Sequence, residues 1–529
     1  MNKSEKNTNG IFYLLPLLIV GVALLLRLTA LGAKSIYVDE GVTVFICQRP
    51  IGAIVPLMME ISEVHPPLYF WFINIWINLW KTFRIIIPDY LVWLRLSSVI
   101  CGVLSVWLTY ILSLRLIGKK AALWAAAFLG VSSFHLYYSQ ELRMYPVLLC
   151  LFLGSFILYL KMLEKPSFLL GAGVATVTGA ALLTHYYGFY IIFIEFLWSL
   201  FLFLSTRKAP TADSGQNIEN SDVVKKIGFA LLSSVMSVLF FIPWLVYFLK
   251  QSHAQDFTLR VNPSLWNIPE IFSYTAYGQA VPPSVNMGIH LFALLGIIPL
   301  VIIVMGFFTK GGGEELEGSE GVKYFYTGLG NKLAGIYLFT PLIITMAVSF
   351  LTRFHIFEFK YFFVICPALW MLAAYFICSV KPVGVKIFIT CLFLLSNFLT
   401  VANSQFNSYY YPQDWKRAAM VVKEKKKPGD LVVVHPSMMA SPFLFYYNRV
   451  DDLVPLDFPQ DPRAAALDKC RGIWFVSTPG HPFVSQAGLV NYLFGRFPSE
   501  KVMETENYMP SNILRIDYLR VKPEENGIK

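Results

Sequence analysis

Long apolar runs limit what this chain can fold into more than any other feature of its sequence. A helix needs roughly 20 predominantly apolar residues to cross a bilayer, and eleven runs meet or approach that length. They lie near residues 11–31, 92–116, 121–138, 144–161, 167–184, 186–205, 226–249, 286–308, 333–351, 361–380 and 384–403. Only 14% of the 529 residues are charged. The sequence therefore predicts an α-helical polytopic membrane protein with about 11 transmembrane helices.

Basic residues collect in alternate connections between these runs. Such an excess of lysine and arginine marks the cytoplasmic side of a membrane protein. With Lys3 and Lys6 it predicts a cytoplasmic N-terminus ahead of an uncleaved first helix, and therefore an outer C-terminus after an odd number of spans. Because the basic residues follow this pattern, the net charge of +10 gives no reason to expect nucleic acid as a partner. The basic groups are Arg115, Lys119 and Lys120; Lys161 and Lys165; Arg207, Lys208, Lys225 and Lys226; Lys310, Lys323 and Lys332; and Lys381 and Lys386.

Residues 66–80 form a further apolar run that we do not count as a span. As a helix it would extend about 22 Å, which is short of the ~30 Å hydrocarbon core. Counting it would also reverse every later segment and place the basic connections outside. We therefore predict a juxtamembrane or re-entrant helix on the outer face, within a first outer loop at about 32–91.

The tail of the chain differs in character from the apolar part. Its pattern predicts buried strands at 431–434 and 472–476, an edge strand at 513–521, and helices at 414–422, 442–447 and 485–495. Asp414 stands where the first of these helices needs an N-cap. We therefore divide the chain into a transmembrane domain, 1–403, and a small extracytoplasmic α/β domain, 404–529.

Ionisable and aromatic residues gather on the predicted outer side. Asp39 and Glu40 follow the first span, and a carboxylate there can act as a general base or, as a pair, hold a divalent cation. Basic side chains bind phosphate, and aromatic rings stack on sugars. The further candidates are His65, Arg143, Tyr145, His185, Tyr186, Arg353 and Lys360. Together these groups suit the transfer of a sugar from a lipid phosphate to an acceptor.

Ordinary structural explanations compete with these roles. Arg143 can pair with Glu141 or reach lipid headgroups, and His65 can cap the helix that follows it. His185 and Tyr186 can belong to an interfacial aromatic belt. Glu195 lies within the sixth run, where pairing inside the helix bundle explains it better than catalysis.

Five stretches in the first 190 residues together resemble one family, the C-type integral-membrane glycosyltransferases. The branch is glycosyltransferase family 39-like and contains protein O-mannosyltransferases and bacterial aminoarabinose transferases. The stretches are Tyr37-Val38-Asp39-Glu40, His65-Pro66-Pro67-Leu68-Tyr69, Leu94-Arg95-Leu96-Ser97-Ser98, Ser139-Gln140-Glu141-Leu142-Arg143-Met144-Tyr145 and Thr184-His185-Tyr186-Tyr187-Gly188.

The resemblance implies roles for single residues. Asp39 matches the first-loop acid, which serves as the base or helps to hold a metal ion, and Glu40 accompanies it. His65 stands where the aminoarabinose branch has a lysine that contacts the donor phosphate, and a neutral histidine would bind phosphate more weakly. Arg143 and Tyr145 match a motif near the donor site.

The resemblance also implies the substrates. Arg353 or Lys360 resembles a later basic residue that meets the lipid phosphate, and His185 and Tyr186 are placed with the donor site. The implied donor is a polyprenyl-phosphate monosaccharide, and the acceptor on the outer face is a protein, a lipid or a cell-wall glycan. The only cofactor considered is a divalent cation. The sequence thus predicts a cell-membrane glycosyltransferase with Asp39 as base.

Two other classes of function compete with this one. A transporter or flippase for a lipid-linked sugar would have internal repeats and polar groups near the bilayer midplane, whereas here the polar groups collect at one face. A non-catalytic scaffold would leave the first-loop acids without a role. Sugar transfer therefore accounts for more of the sequence than either alternative.

Overall fold

A computed structural model of the chain describes residues 3–84, 86–87, 89–208, 220–254, 263–278, 294–309, 328–352, 356–479, 487–505 and 513–521. The chain forms two compact units, which we describe one at a time. The membrane unit comprises Met1–Thr29, Pro50–Phe83 and Trp93–Val401. The loop–tail unit comprises Ala30–Arg49, Arg84–Val92 and Ala402–Lys529. The sequence predicted a single boundary near residue 403. In the structure the second unit also contains the loop segments 30–49 and 84–92, which the prediction had assigned to the transmembrane domain.

The membrane unit is built from helices. Those lying wholly or mostly in it are Lys3–Leu28, Ile51–Glu60, Leu68–Phe83, Tyr90–Ile117, Lys119–Val131, Ser133–Ser139, Tyr145–Glu164, Phe168–Thr184, Phe189–Lys208, Asn220–Met236, Val238–Ala254, Asn267–Tyr277, Ile297–Phe308, Gly330–Leu351, Cys366–Ser379 and Val383–Phe406. Short 3₁₀ helices at Tyr186–Gly188 and Phe359–Ile365 precede two of them.

Seven stretches of the described residues are helical, long and apolar enough to cross a membrane. They are Tyr90–Ile117, Tyr145–Glu164, Tyr186–Ser205, Asp222–Lys250, Gly330–Leu351, Phe359–Ser379 and Val383–Phe406, and the shorter apolar helices are Leu14–Leu28, Ile51–Glu60, Phe168–Thr184 and Ile297–Phe308. The prediction of a multi-pass helical membrane protein is confirmed, whereas the number of about 11 spans stays a prediction. Residues 286–293 of the predicted span 286–308 lie outside the described residues.

The predicted span 121–138 is not one continuous helix. A first helix ends at Val131 and a second begins at Ser133, with Ser132 between them at ψ 120°. The break is stable because side chains bond the freed backbone: the Ser132 hydroxyl accepts from the His135 N–H at 3.4 Å, and Asn397 Oδ1 accepts from the Ser133 N–H at 2.7 Å. Apolar periodicity alone gave no sign of this break.

The run at 66–80 forms the helix Leu68–Phe83, whose 16 residues are not among the candidate spans. At 1.5 Å per residue the helix is about 24 Å long. Two tryptophans attach it to the following helix: the Trp76 and Trp93 rings stack at 4.4 Å, and each indole N–H donates to the other residue's carbonyl. Its length agrees with a juxtamembrane helix, and its outer location stays a prediction.

The loop–tail unit contains a five-stranded sheet, whose strands are β1 Leu431–His435, β2 Leu453–Pro455, β3 Gly472–Ser477, β4 Ser499–Glu504 and β5 Arg515–Arg520. Their order in the sheet is β2-β1-β3-β5-β4. Strand β1 runs parallel to β2 and β3, while β5 is antiparallel to β3 and β4. The two buried strands are confirmed. The prediction of an edge strand at 513–521 is wrong, since β5 lies between β3 and β4.

Helices cover both faces of the central strands of this sheet. They are Val38–Cys47, Trp415–Lys425, Ala440–Tyr447 and Ala487–Arg496. On one face Val432 and Trp474 pack with Trp415, and Val38 of the first loop belongs to the same apolar cluster. A Cβ added to Gly41 would lie 2.8 Å from the Pro442 backbone nitrogen, so only glycine permits this approach. The first-loop helix is therefore part of the tail's core.

Candidate active site

The two predicted first-loop carboxylates open the helix Val38–Cys47 of the loop–tail unit. Glu40 is fully buried, and its Oε2 accepts from the Tyr37 backbone N–H at 2.8 Å. This contact caps the start of the helix and gives Glu40 a structural role. Asp39 is half-buried in the first turn of the same helix. The cap contact distinguishes Glu40 from Asp39, and the catalytic role of Asp39 stays a prediction.

The same geometry tests the predicted divalent cation. Adjacent helix positions point about 100° apart, and the Glu40 carboxylate already accepts from Tyr37. No group of three His, Cys, Asp or Glu side chains suited to a metal ion occurs within the described ranges. Asp39 and Glu40 do not by themselves fit a shared metal site, so the cation stays a prediction and no mechanistic step below depends on it.

In the membrane unit, His65 is held by a carboxylate that the sequence reasoning overlooked. Glu63 Oε1 contacts His65 Nδ1 and also accepts from the His65 backbone N–H at 3.2 Å. His65 is 7% exposed, and the segment lies between the helices Ile51–Glu60 and Leu68–Phe83. The acid two residues before the His-Pro-Pro motif was the available signal. It was missed because a loop acid is usually solvated.

Charge around Glu63 determines which His65 nitrogen carries a proton. Burial acts to raise the pKa of the Glu63 carboxyl, but His65 and Arg143 outweigh it, so this pKa lies below its usual value. The carboxylate is therefore ionised at neutral pH and can only accept hydrogen bonds. His65 Nδ1 therefore donates to it, and this hydrogen bond fixes the orientation of the imidazole ring. The predicted contact of His65 with a donor phosphate stays a prediction.

Arg143 contributes the principal buried positive charge of this cluster. It lies in the short connection before the helix Tyr145–Glu164, is 4% exposed, and lowers the pKa of Glu63 through its charge. Its backbone N–H donates to the Glu141 carbonyl at 2.8 Å. A guanidinium buried this deeply is stabilised by anionic groups, and Glu63 is one of them here. A phosphate can bind such a guanidinium in bidentate geometry.

His185 lies at the centre of an aromatic cluster in the turn after the helix Phe168–Thr184. Its Nδ1 accepts from the Tyr187 backbone N–H at 3.0 Å, which fixes the ring. A Cβ on Gly188 would lie 2.5 Å from the Ala181 backbone, so glycine is required for the tight turn. The His185 ring centroid is 5.2 Å from that of His65.

Tyrosine rings surround the two histidines. The Tyr361 ring lies 5.2 Å from His185 and 6.2 Å from Tyr145, and the Tyr145 ring lies 6.3 Å from His185. Tyr145 and Tyr361 are at most 9% exposed. The Tyr187 hydroxyl donates to the Ile356 carbonyl at 2.8 Å and so ties this wall to the segment before Phe359–Ile365.

The remaining predicted site residues take different places. Lys360 is half-buried, with its ammonium 5.9 Å from the Tyr361 ring centroid, and so joins the cluster. The Tyr186 hydroxyl accepts from Trp244 Nε1 at 3.1 Å, and it also lies near enough to Glu63 to interact with the charge of that carboxylate. Arg353 lies outside the described residues. Glu195 is fully buried and accepts from Ser155 and Ser234, which agrees with a structural role inside the bundle.

The membrane unit thus brings together His65, Arg143, Tyr145, His185 and Lys360. With Glu63 as the anion, the cations Arg143 and Lys360 leave this cluster with a net positive charge. A positive cluster of buried groups beside aromatic rings is chemically suited to a phosphate linked to a sugar.

Comparisons with known proteins show what this chain resembles. Residues 64–214 match the family model of dolichyl-phosphate-mannose-protein mannosyltransferases. The matched segment begins beside His65 and contains Arg143, Tyr145 and His185. The match confirms the resemblance predicted from the sequence motifs.

Two solved structures share the fold over nearly the whole chain. ArnT from Cupriavidus metallidurans bound to undecaprenyl phosphate is 14% identical with a TM-score of 0.58, and the alignment covers 97% of this chain and 99% of that one. ArnT from the same organism in the apo state is 13% identical with a TM-score of 0.55, covering 95% and 97%. At sequence identities this low, the structural similarity shows that the fold is shared. No curated protein matches the sequence.

The fold is shared with the ArnT structures, and the matched segment is similar to the mannosyltransferase family model. This chain is a multi-pass membrane protein of that fold, with a small α/β sheet domain near its C-terminus.

Proposed function

We propose that this protein transfers a monosaccharide from a polyprenyl-phosphate donor to an acceptor on the outer face of the membrane. The observation that carries the proposal is the buried cluster of Arg143, His65 and its partner Glu63, because this cluster is positive and walled by aromatic rings. A similar fold that binds undecaprenyl phosphate supports the donor class.

On the donor side, Arg143 and His65 hold the phosphate. Arg143 binds two phosphate oxygens through its planar fork, and the His65 imidazolium donates from Nε2. Negative charge gathers on the phosphate as the bond from the anomeric carbon to the phosphate oxygen breaks, so these fixed positive groups stabilise the transition state more than the ground state. Polyprenyl phosphate is the leaving group.

On the acceptor side, Asp39 is the general base. It takes the proton of the acceptor's nucleophilic group as that group attacks the anomeric carbon. One acceptor–hydrogen bond and one sugar–phosphate bond break, while a sugar–acceptor bond and a carboxyl O–H bond form, so atoms and charge balance. Asp39 suits this role better than Glu40, because the Glu40 carboxylate caps its own helix.

The test is sugar transfer in vitro with the full-length protein in detergent and a radiolabelled polyprenyl-phosphate sugar. We expect Asp39→Asn and Arg143→Gln each to lower the rate at least about 100-fold, a loss in the range of a missing catalytic base or charge-stabilising donor. Glu60→Gln is the matched control, since Glu60 is an exposed acid of the neighbouring helix Ile51–Glu60, and it should retain full activity.

Two outcomes would contradict the proposal. If the Asp39→Asn variant transfers sugar as fast as the wild type, Asp39 is not the general base. Movement of the intact lipid-linked sugar across a vesicle membrane, without its consumption, would instead favour a transporter or flippase.

A further inference from the structure

A cavity of about 930 Å³ lies entirely within the loop–tail unit. Its walls come from the first-loop helix Val38–Cys47 and the two residues after it, from residues 89–91, and from the tail helices Trp415–Lys425 and Ala440–Tyr447. This volume falls within the usual range of small-ligand sites, about 300–1,000 Å³. None of the groups that the proposed reaction uses lines it.

The charges lining the cavity are mostly positive. Arg49, Lys416 and Lys423 contribute three cations, and Asp89 contributes the one carboxylate. The Asp89 Oδ1 accepts from the backbone N–H groups of Leu91 and Val92 at 2.9 and 3.1 Å, so it serves as a helix cap. Its charge is therefore directed at a helix N-terminus, and the cavity keeps an excess of positive charge.

Aromatic rings supply flat apolar faces beside these cations. The rings of Tyr90 and Phe445 are nearly parallel, with an interplanar angle of 9° and centroids 6.1 Å apart. The Arg49 guanidinium carbon lies 5.1 Å from the Phe45 ring centroid. Flat aromatic faces contact the apolar faces of sugar rings, while guanidinium and ammonium groups bind phosphate or carboxylate. The two kinds of group together suit a sugar that carries a negative charge.

The walls of the cavity are fixed by contacts within the unit. Gly41 permits backbone contact with Pro442, and the Tyr446 hydroxyl accepts from the Ile36 N–H at 2.9 Å. Lys423 Nζ donates to the Tyr446 carbonyl at 2.8 Å. The residue Ile36 just before the loop helix is hydrogen-bonded to the tail helix Ala440–Tyr447, and the loop helix packs directly against that helix at Gly41. The site is therefore preformed, and binding a ligand requires little ordering of the protein.

We propose that this cavity binds an anionic saccharide, that is, a sugar that carries a phosphate or a carboxylate group. This saccharide is a part of the acceptor that lies away from the group that reacts. The cavity-lining positions 41, 44, 45 and 48 repeat at helical spacing, so Asp39 occupies a different face of the same helix. The assignment of this sugar to the acceptor rests on the proposed function. The charge-dependent binding of a sugar in the cavity does not rest on it.

The test measures binding to the purified full-length protein in detergent. The probes are maltotetraose, its phosphate monoester, and tetragalacturonate, so that neutral, phosphorylated and carboxylated sugars of similar size are compared. We expect both anionic sugars to bind at least about 10-fold more tightly than maltotetraose at low salt. This preference should shrink as salt screens the charges. Equal affinity for all three sugars would overturn the inference.

Variants locate the binding in the cavity. Arg49→Gln and Lys416→Gln should each weaken binding of the anionic sugars at least about five-fold and leave the melting temperature unchanged, since both side chains are exposed. The control is Lys425→Gln, because Lys425 is an exposed lysine of the same helix that does not line the cavity. Equal effects of Lys416→Gln and Lys425→Gln would also overturn the inference.

Failure of the inference and failure of the proposed function are distinguishable. If the protein transfers sugar from polyprenyl phosphate but shows no charge-dependent saccharide binding, the cavity inference falls and the proposed function stands. If saccharide binding follows charge and depends on Lys416 but no sugar is transferred, the cavity binds anionic sugar and its assignment to an acceptor is overturned.

Discussion

At the scale of single residues, the main finding is that pairing determines the chemistry of the candidate site. His65 was identified from a motif, but the position of the proton on its ring depends on Glu63, which no motif marked. Glu40 was predicted beside Asp39 as a site residue, and its contact with Tyr37 is a helix cap. The residue types were readable from the sequence because they stand in recognisable stretches. Their partners depend on which side chains fold against them.

Replacing Glu63 with glutamine should change how stability depends on pH. The pKa of Glu63 is lowered in the folded protein, so its contribution is fully present above the unfolded value of about 4.3 and is lost as pH falls through the folded value. We expect Glu63→Gln to cost about 2 kcal/mol at pH 7, the scale of a charge-assisted hydrogen bond. The measurement is thermal unfolding in detergent.

The pH series provides the internal check on this prediction. The difference in melting temperature between Glu63→Gln and the wild type should stay constant from pH 7 to about 5 and narrow as pH falls below about 4.3, whereas Glu60→Gln should match the wild type throughout. A difference that is constant with pH would show that Glu63 does not act through its charge.

At the scale of secondary-structure elements, side-chain bonds decide where helices stop. The run 121–138 is continuous in hydropathy, yet its helix breaks at Ser132. Asn397, from the helix Val383–Phe406, accepts from both the N–H and the hydroxyl of Ser133 and donates to the Ala276 carbonyl at 2.8 Å. A partner more than 250 positions away cannot be found from local periodicity.

Removing this partner should destabilise the membrane unit. In Asn397→Ala the buried N–H of Ser133 and the Ala276 carbonyl each lose a partner, and an unsatisfied buried group costs about 1–3 kcal/mol. We therefore expect a clear fall in melting temperature in detergent. Ser396→Ala is the matched control, because the Ser396 hydroxyl bonds only a carbonyl of its own helix, that of Phe393. Equal melting temperatures for the two variants would argue against a structural role for Asn397 at the break.

At the scale of the whole molecule, the two compact units do not follow the order of the chain. The segments 30–49 and 84–92 belong with the tail rather than with the helices that flank them in sequence. Hydropathy separates spans from loops, but it does not say which loop packs on which domain. The orientation of the chain across the membrane is likewise a prediction from its basic residues.

Reporter fusions test this orientation. We expect alkaline phosphatase to be active when fused after residue 529 or within residues 404–412, and inactive when fused in the basic connection 310–327, because the positive-inside pattern places that connection in the cytoplasm. A fluorescent protein that folds only in the cytoplasm should give the opposite pattern. An active phosphatase in the 310–327 connection would reverse the predicted topology and move Asp39 away from the outer face.

The sequence by itself determined the features that depend on local pattern. Apolar runs of sufficient length predicted a multi-pass helical protein, and short apolar runs beside turns located β1 and β3. These succeed because the bilayer and the sheet core impose their requirements on consecutive residues. Only the tertiary structure decided the Glu63–His65 pair, the helix break at Ser132, the inner position of β5 and the packing of the first-loop helix into the tail. Each of these depends on contacts that the order of residues does not specify.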